Sequence, residues 1–269
     1  MTMSILHIWD TGGVASVLSK YLRKNYRVKS TVVSIDYNDP CNITTFYGGQ
    51  HYPGGTTVTN IRFLMKGLMY DIIHIHSAYH LVKHFKRLYP YKKVVMHFHG
   101  GDVRKTGWNN LKDIRKNANL VFVSTPDLLD GAPNNVLWLP NPIDIELFKP
   151  MPSLRNTGTA LHFSFGADDL AAKYARKHGL ELTIYDRKKH GWIPHWKFPE
   201  FLCQYEYCID VKRVTGGKIG PALSKTGLEA LACGLKVIRW DGEVIEELPE
   251  EHNPVNVVTK LWSLYQKLG

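Results

Sequence analysis

Residues 4–22 read SILHIWDTGGVASVLSKYL: an apolar run from Ser4 to Trp9, the step Asp10-Thr11-Gly12-Gly13, then apolar residues at Val17, Leu18, Tyr21 and Leu22. That spacing predicts a strand, a glycine turn and a helix in succession. Similar runs recur at Val28–Asp36, Asp71–Ser77 (DIIHIHS), Lys93–Gly100 (KVVMHFHG), Asn119–Thr125 (NLVFVST) and Val136–Leu139, most of them separated by helical stretches. Apolar strands that lack polar alternation and alternate with helices predict a parallel sheet covered on both faces. The stretch Asn38–Thr59, with Gly48-Gly49 and Pro53-Gly54-Gly55, reads as a long irregular loop.

Beyond Pro140-Asn141-Pro142, the segment Phe148-Lys149-Pro150-Met151-Pro152 is stiff and averse to helix. The strand pattern then restarts. ALHFSFG (Ala160–Gly166), a helix Asp168–His178, LELTIYD (residues 180–186), YEYCIDV (Tyr205–Val211), a short helix Lys225–Cys233 and LKVIRW (Leu235–Trp240) follow in order. Val255–Leu268 closes the chain as an amphipathic helix. The prediction is an α/β protein of two parallel-sheet domains, residues 1–150 and 151–254, with residues 255–269 as a terminal helix.

Composition agrees with a globular chain. The 269 residues are 44% hydrophobic and 22% charged, with mean hydropathy -0.23, which excludes disordered, collagenous and membrane-spanning classes. The net charge of +10 is uneven: 18 Lys+Arg face 10 Asp+Glu up to Pro150, and 16 face 14 beyond it. Such a surface suits nucleic acid, an anionic membrane or a phosphorylated small molecule. Cys41, Cys203, Cys208 and Cys233 form no Cys-x-x-Cys pair, and the N-terminus shows no signal-peptide core. A cytoplasmic protein with free thiols is expected.

In a parallel α/β sheet, ligands bind beyond the carboxyl ends of the strands. Gly12 and Gly13 lie at such an end, where missing side chains admit a phosphate or sugar, or where they serve only a tight turn. The Gly-x-Gly-x-x-Gly dinucleotide fingerprint is absent. His99 and Asp102 follow another strand and are candidates to position a substrate hydroxyl. His80 and His84, four apart on a helix, invite a zinc reading, but no glutamate lies beside either, so no metal is expected. The densest signal is Asp210–Gly242: Lys212, Arg213, Lys218 and Lys225 offer cations, and Ser224-Lys225-Thr226 opens a helix whose free N–H groups can hold a diphosphate. Glu229, one turn in, can accept hydrogen bonds from ribose hydroxyls or merely complement the helix dipole.

The segments DTGGVASVLSKYL, DIIHIHSAY, HFHGGDVR, NANLVFVSTPDLL, LPNPIDIELFKP and SKTGLEALACGLKVI, in that order over most of Ser4 to Gly242, resemble the retaining GT-B glycosyltransferases of family 4. The resemblance implies a GT-B fold, two Rossmann-like domains facing across a cleft, the C-terminal one binding a nucleotide diphosphate sugar and the N-terminal one mainly the acceptor. It implies hexose transfer with retention, no metal, no cofactor beyond the donor substrate, and a final helix crossing back to the first domain. By the same resemblance Gly12 and Gly13 match the glycine loop near the donor phosphates, and His99 the strand-end histidine near the transferred sugar. Asp102 belongs to that acceptor-side motif, and Glu229 matches the ribose-binding glutamate.

Two positions depart from the family. Pro221 stands where an earlier sugar-contacting glutamate is common, and Ala167-Asp168-Asp169 replaces the basic residues after the first strand of the second domain. Lys212, Arg213, Lys218 or Lys225 is then expected to supply the phosphate cations, Lys225 foremost. The basic first domain, with Lys83-His84-Phe85-Lys86-Arg87 and Lys92-Lys93, resembles the membrane-facing domain of lipid-modifying relatives or is a solvated basic face. A lipid-linked or glycan acceptor and a peripheral membrane location are the corresponding expectations. A sugar-nucleotide epimerase or hydrolase, or a non-catalytic nucleotide-sugar or nucleic-acid binder, are the alternatives. No recognised nucleic-acid motif supports the last.

Overall fold

A computed structural model describes residues 3–36, 39–53 and 56–268. The chain divides into two compact units, residues 1–142 with 254–269, and residues 143–253. The boundary falls before Ile143 rather than after Pro150, because Ile143 and Phe148 are buried in the core of the second unit. The Ile143 N–H also donates to His252 O at 3.1 Å, which ties together the two ends of that unit.

The first unit is built on seven parallel strands: β1 (Ser4–Ile8), β2 (Lys29–Ile35), β3 (Gln50–Tyr52), β4 (Ile72–His76), β5 (Lys93–Phe98), β6 (Leu120–Val123) and β7 (Val136–Trp138). Their order is β3-β2-β1-β4-β5-β6-β7. β4 is buried at every position, as a central strand covered on both faces requires. One face packs Leu6, Ile8, Val33, Ile73, Ile75 and Met96 into a core under the helix His80–Leu88. The other carries Ile5, Ile72, Val95 and Phe122 against the helices Val14–Tyr26 and Pro254–Gln266.

The terminal helix thus completes the first unit. Tyr26 stacks on Trp262 with centroids 4.9 Å apart and donates to Thr259 Oγ1 at 3.0 Å. The region read as an irregular loop is partly ordered: it holds the short helix Ile43–Phe46, strand β3 and the start of the helix Thr56–Gly67. Asp39 organises it, accepting from the Ile43 and Thr44 N–H groups at 2.6 and 2.8 Å. Asn38, Gly54 and Gly55 lie outside the described residues.

The second unit carries β8 (Asn156–Phe163), β9 (Glu181–Tyr185), β10 (Tyr205–Ile209), β11 (Lys236–Ile238) and β12 (Val244–Ile245) in the order β12-β11-β10-β8-β9. All pair in parallel except the edge strand β12, which runs antiparallel to β11. Both sheets are of the α/β class read from the sequence. All four cysteines are free, and Cys203, Cys208 and Cys233 are buried. No described helix is long and apolar enough to cross a membrane.

Candidate functional site

Two clusters of polar side chains stand at strand ends, one in each unit. In the second unit, β10 ends at Ile209 and hands over to Asp210, whose Oδ2 accepts the Ser224 N–H at 2.6 Å. Ser224 caps the helix Lys225–Ala232, its Oγ accepting from the Gly227 N–H at 3.0 Å, which satisfies one of the orphan donors of the first turn. Gly227 is required by this packing, since a Cβ there would collide with the Asp210 carboxylate.

Lys225 and Glu229 form an ion pair along the helix, their side chains only 14% and 7% exposed. Burial pushes the Glu229 carboxyl up, and the charges of Lys225 and Arg187 pull it back. Thr226, partly buried, lies in the same turn. A capped helix start carrying a buried cation and a carboxylate can take an anionic group on its N–H donors and hydroxyls on its carboxylate.

Three residues that carry no motif join this cluster. Arg187 lies over the rings of Phe163, Phe165 and Trp192, at 5.0, 5.3 and 4.8 Å from their centroids, an aromatic setting that holds a planar cation in place. His195 is buried and its pKa is pushed down to about 3, first by burial and then by the charge of Lys225, with Asp144 opposing. Asp144 is itself buried. The charge of Arg187 acts on Glu229, and those of Lys225 and Asp144 act on His195, although these residues lie far apart in the chain.

Other predicted donor residues are placed differently. Arg213 is occupied: its Nε donates to Gly166 O at 2.6 Å, and its guanidinium pairs with Asp169 at 3.1 Å. Asp169, where the sequence resemblance led to the expectation of basic residues, thus captures this arginine and ties the segment after β8 to the loop after β10. Lys218 is exposed and Lys212 partly buried on the same loop, closed by an Arg213–Ile219 bridge. Pro221 is exposed.

In the first unit, Gly12 and Gly13 adopt φ of +60° and +79° where β1 turns into the helix Val14–Tyr26, a conformation that disfavours side chains. Beneath them Asp10 is buried, its carboxylate accepting from Ser16 Oγ at 2.5 Å and Thr44 Oγ1 at 3.1 Å. Burial raises its pKa, and these hydroxyl bonds oppose the rise.

His99 terminates a stripe of histidines on one face of the sheet. His7 Nδ1 and His76 Nε2 are 3.2 Å apart, and His76 Nδ1 and His99 Nε2 3.1 Å. His74 Nδ1 meets the Tyr265 hydroxyl at 2.6 Å. Burial lowers the pKa of each, to about 3 for His7 and about 4 for His99, where Asp102 opposes it. The rings are neutral at pH 7. Asp102 is engaged locally, accepting from the N–H groups of His99, Gly100 and Val103 at 3.1, 2.9 and 2.9 Å. It therefore shapes the turn that holds His99.

Ring nitrogens of His7, His74 and His76, and of His76, His97 and His99, lie within 4.8 Å of one another in each set. A transition ion is the group such triads can hold. A dication there would rest on neutral ligands in a dry interior, at a large desolvation cost, and most of these rings already bond to one another or to Tyr265. His80 and His84, the pair considered from the sequence, are exposed and belong to neither set.

By sequence the chain matches no protein-family profile, and no curated protein matches it. Its backbone does have solved counterparts. Anabaena HepE, in a crystal structure with UDP and glucose, is 14% identical over 99% of this chain and 91% of its own, with a TM-score of 0.58. The calicheamicin glycosyltransferase CalG4 is 9% identical over the whole of both chains, with a TM-score of 0.52. The fold is that of GT-B glycosyltransferases. At these identities the likeness concerns the path of the backbone, and the chemistry rests on the residues described above.

Proposed function

We propose that the chain is a glycosyltransferase that moves a hexose from a nucleotide diphosphate sugar to an acceptor, with retention of configuration and without a metal ion. The observation that carries this reading is the capped helix start in the second unit, where Ser224, Lys225, Thr226 and Glu229 converge on the end of β10. The HepE structure, which contains UDP and glucose on a similar backbone, supports it.

In this reading the donor diphosphate lies at the N–H groups of that turn, with Lys225 and Arg187 as its cations. Glu229 receives the ribose hydroxyls. Charge develops on the leaving diphosphate in the transition state, so fixed cations and helix donors lower the barrier directly. Lys212 and Lys218 add a basic flank, whereas Arg213 serves the loop. The first unit mainly supplies the acceptor side, where His99, neutral and oriented by His76, contacts the transferred sugar, while Gly12 and Gly13 leave room at the first turn for the donor phosphates. Asp102 holds His99 in place. The protein works at the cytoplasmic side of its cell, on a glycan or lipid-linked acceptor.

The test is equilibrium binding of UDP and UDP-glucose, with and without chelator, to wild type, Lys225→Ala and Glu229→Ala. Each variant is expected to weaken binding about tenfold or more, the scale of a lost charge-assisted hydrogen bond. Unchanged affinity in both would sink the site. Anomeric coupling in the product, read by NMR, decides retention. A second reading, a nucleotide-sugar binder without transferase activity, is favoured by Pro221, which offers no carboxylate at a sugar-contacting position. Donor binding without turnover on any glycan or lipid-linked acceptor would select it.

A further inference from the structure

A neutral imidazole carries one N–H and one lone pair, on two nitrogens that can exchange roles. Of the five histidines on the sheet face, three are joined end to end. His7 Nδ1 lies 3.2 Å from His76 Nε2, and His76 Nδ1 lies 3.1 Å from His99 Nε2. His74 turns its Nδ1 to the Tyr265 hydroxyl instead, and neither ring nitrogen of His97 bonds to a described group. The row of three therefore has two distinct ends. At the inner end is His7 Nε2, buried and without a partner among the described residues. At the outer end is Nδ1 of His99, the ring nitrogen that His76 does not engage, on a half-buried residue just past the carboxyl end of β5.

Two bonds in a row leave few arrangements of protons. His76 has a single N–H, so it donates to one neighbour and accepts from the other. Two lone pairs or two N–H groups set face to face would forfeit a buried bond, which is costly. Either every proton points outward, with His7 Nδ1–H donating to His76 Nε2, His76 Nδ1–H donating to His99 Nε2 and the proton of His99 on Nδ1, or every proton points inward and Nδ1 of His99 is bare. The charges at the two ends separate these cases. The charge of Arg23 acts on His7, its guanidinium held by Ser19 Oγ at 2.8 Å and Ser30 O at 3.1 Å. The charge of Asp102 acts on His99, whose backbone N–H donates to that carboxylate at 3.1 Å. A cation at the inner end favours a lone pair there, and a carboxylate at the outer end favours an N–H there. Hydrogen bonds in a chain polarise one another, so both charges drive the same outward order.

We propose that His7 and His76 are positioning residues that lock His99 in the Nδ1–H tautomer, so that His99 meets its ligand as a hydrogen-bond donor and recognises an acceptor oxygen. The inference rests on the transferase reading only for the identity of that oxygen, which is one of the transferred sugar. It also fixes what His99 does not do. With its outer lone pair replaced by an N–H, it has no free base to take a proton from an acceptor hydroxyl, and its part is to orient.

The experiment reads the tautomers directly in the full chain, isotope-labelled at the histidine nitrogens, by long-range proton–nitrogen correlation NMR at neutral pH. The His99 signals are assigned by their loss in His99→Gln. Wild type is expected to show a protonated Nδ1 and a bare Nε2 at both His76 and His99. His7→Leu removes the first donor of the row and is expected to leave His99 averaged between tautomers. His7→Asn, whose side-chain amide donates from the place of Nδ1, is expected to restore the wild-type pattern. A thermal melt of each variant establishes folding. In sugar transfer, His7→Leu is expected to lower kcat about tenfold, the worth of one hydrogen bond, with donor affinity held within about twofold, and His7→Asn to recover most of the loss. A bare Nδ1 at His99 in wild type would overturn the proposal without recourse to any variant, as would a His99 tautomer unmoved in folded His7→Leu. Absence of turnover on every acceptor strikes the transferase reading instead, because the tautomer is read without donor or acceptor.

Discussion

The two strand-end clusters bury ionisable groups by opposite means. In the second unit the cluster keeps its charges: Lys225 pairs with Glu229, and Arg187 adds a cation held on three rings. In the first unit five histidines share one sheet face, and burial discharges them. Retained charge in a half-dry setting is suited to an anionic ligand, where removal of water strengthens each contact. Neutral imidazoles donate and accept without fixed charge, which suits orienting a hydroxyl. In the proposed transferase this difference matches phosphate chemistry in one unit and positioning chemistry in the other.

The strongest effect expected from this contrast is on pH. Imidazoles in the unfolded chain protonate near 6.5, whereas His7 and His99 are held down to about 3 and about 4 in the fold. Below pH 6.5 the unfolded state binds protons that the folded state refuses, so stability is full above that value and falls as pH drops toward 4. Each tenfold loss of proton affinity on folding is worth about 1.4 kcal/mol, and several histidines contribute, so the destabilisation amounts to several kcal/mol. Urea unfolding midpoints at successive pH values would measure it; a midpoint indifferent to pH between about 7 and about 4 would refute the discharged stripe.

Next is the ion pair. Lys225→Ala strands Glu229 in a buried position and is expected to destabilise the protein by about 3–5 kcal/mol, with Lys225→Ala plus Glu229→Ala recovering much of that loss. A double variant no more stable than the single would mean that the pair is effectively solvated. Gly227→Ala, which drives a methyl into the Asp210 carboxylate, is expected to cost about 1–3 kcal/mol and to weaken UDP binding by displacing the helix start. Smallest is Ser224→Ala, a lost helix cap worth about 1 kcal/mol in thermal or chemical denaturation.

Much of the fold is legible in the chain because its central strands are apolar on both faces. DIIHIHS and KVVMHFHG announce β4 and β5 without help from neighbours. Strand β3 is not announced: it is three residues long, lies between glycine pairs, and owes its existence to pairing with β2, a tertiary event. β8 begins at Asn156, earlier than its apolar run, because the polar lead-in pairs with neighbouring strands.

The site divides in the same way. Ser224, Lys225 and Glu229 form a local pattern on one helix, and a local pattern can be read from sequence. Arg187, His195 and Asp144 are single residues in unrelated segments, and only the fold assembles them. Arg213 resembled a free cation because its captor, Asp169, lies 44 positions earlier. Asp102 read from sequence as a residue that positions a substrate hydroxyl, because its three backbone donors cannot be seen before the turn exists.

The helix Pro254–Gln266 has a consequence for the order in which this protein matures. Val257, Val258, Leu261 and Tyr265 are fully or almost fully buried in the first unit, yet they are synthesised after the whole of the second. The intervening 143–253 segment, its ends joined by the Ile143–His252 bond, has all its own strands by the time that helix leaves the ribosome. The unit that is begun first is therefore completed second, and a nascent chain halted before Pro254 exposes the apolar patch around Ile5, Ile72 and Val95 that the helix covers, a surface for chaperones to engage.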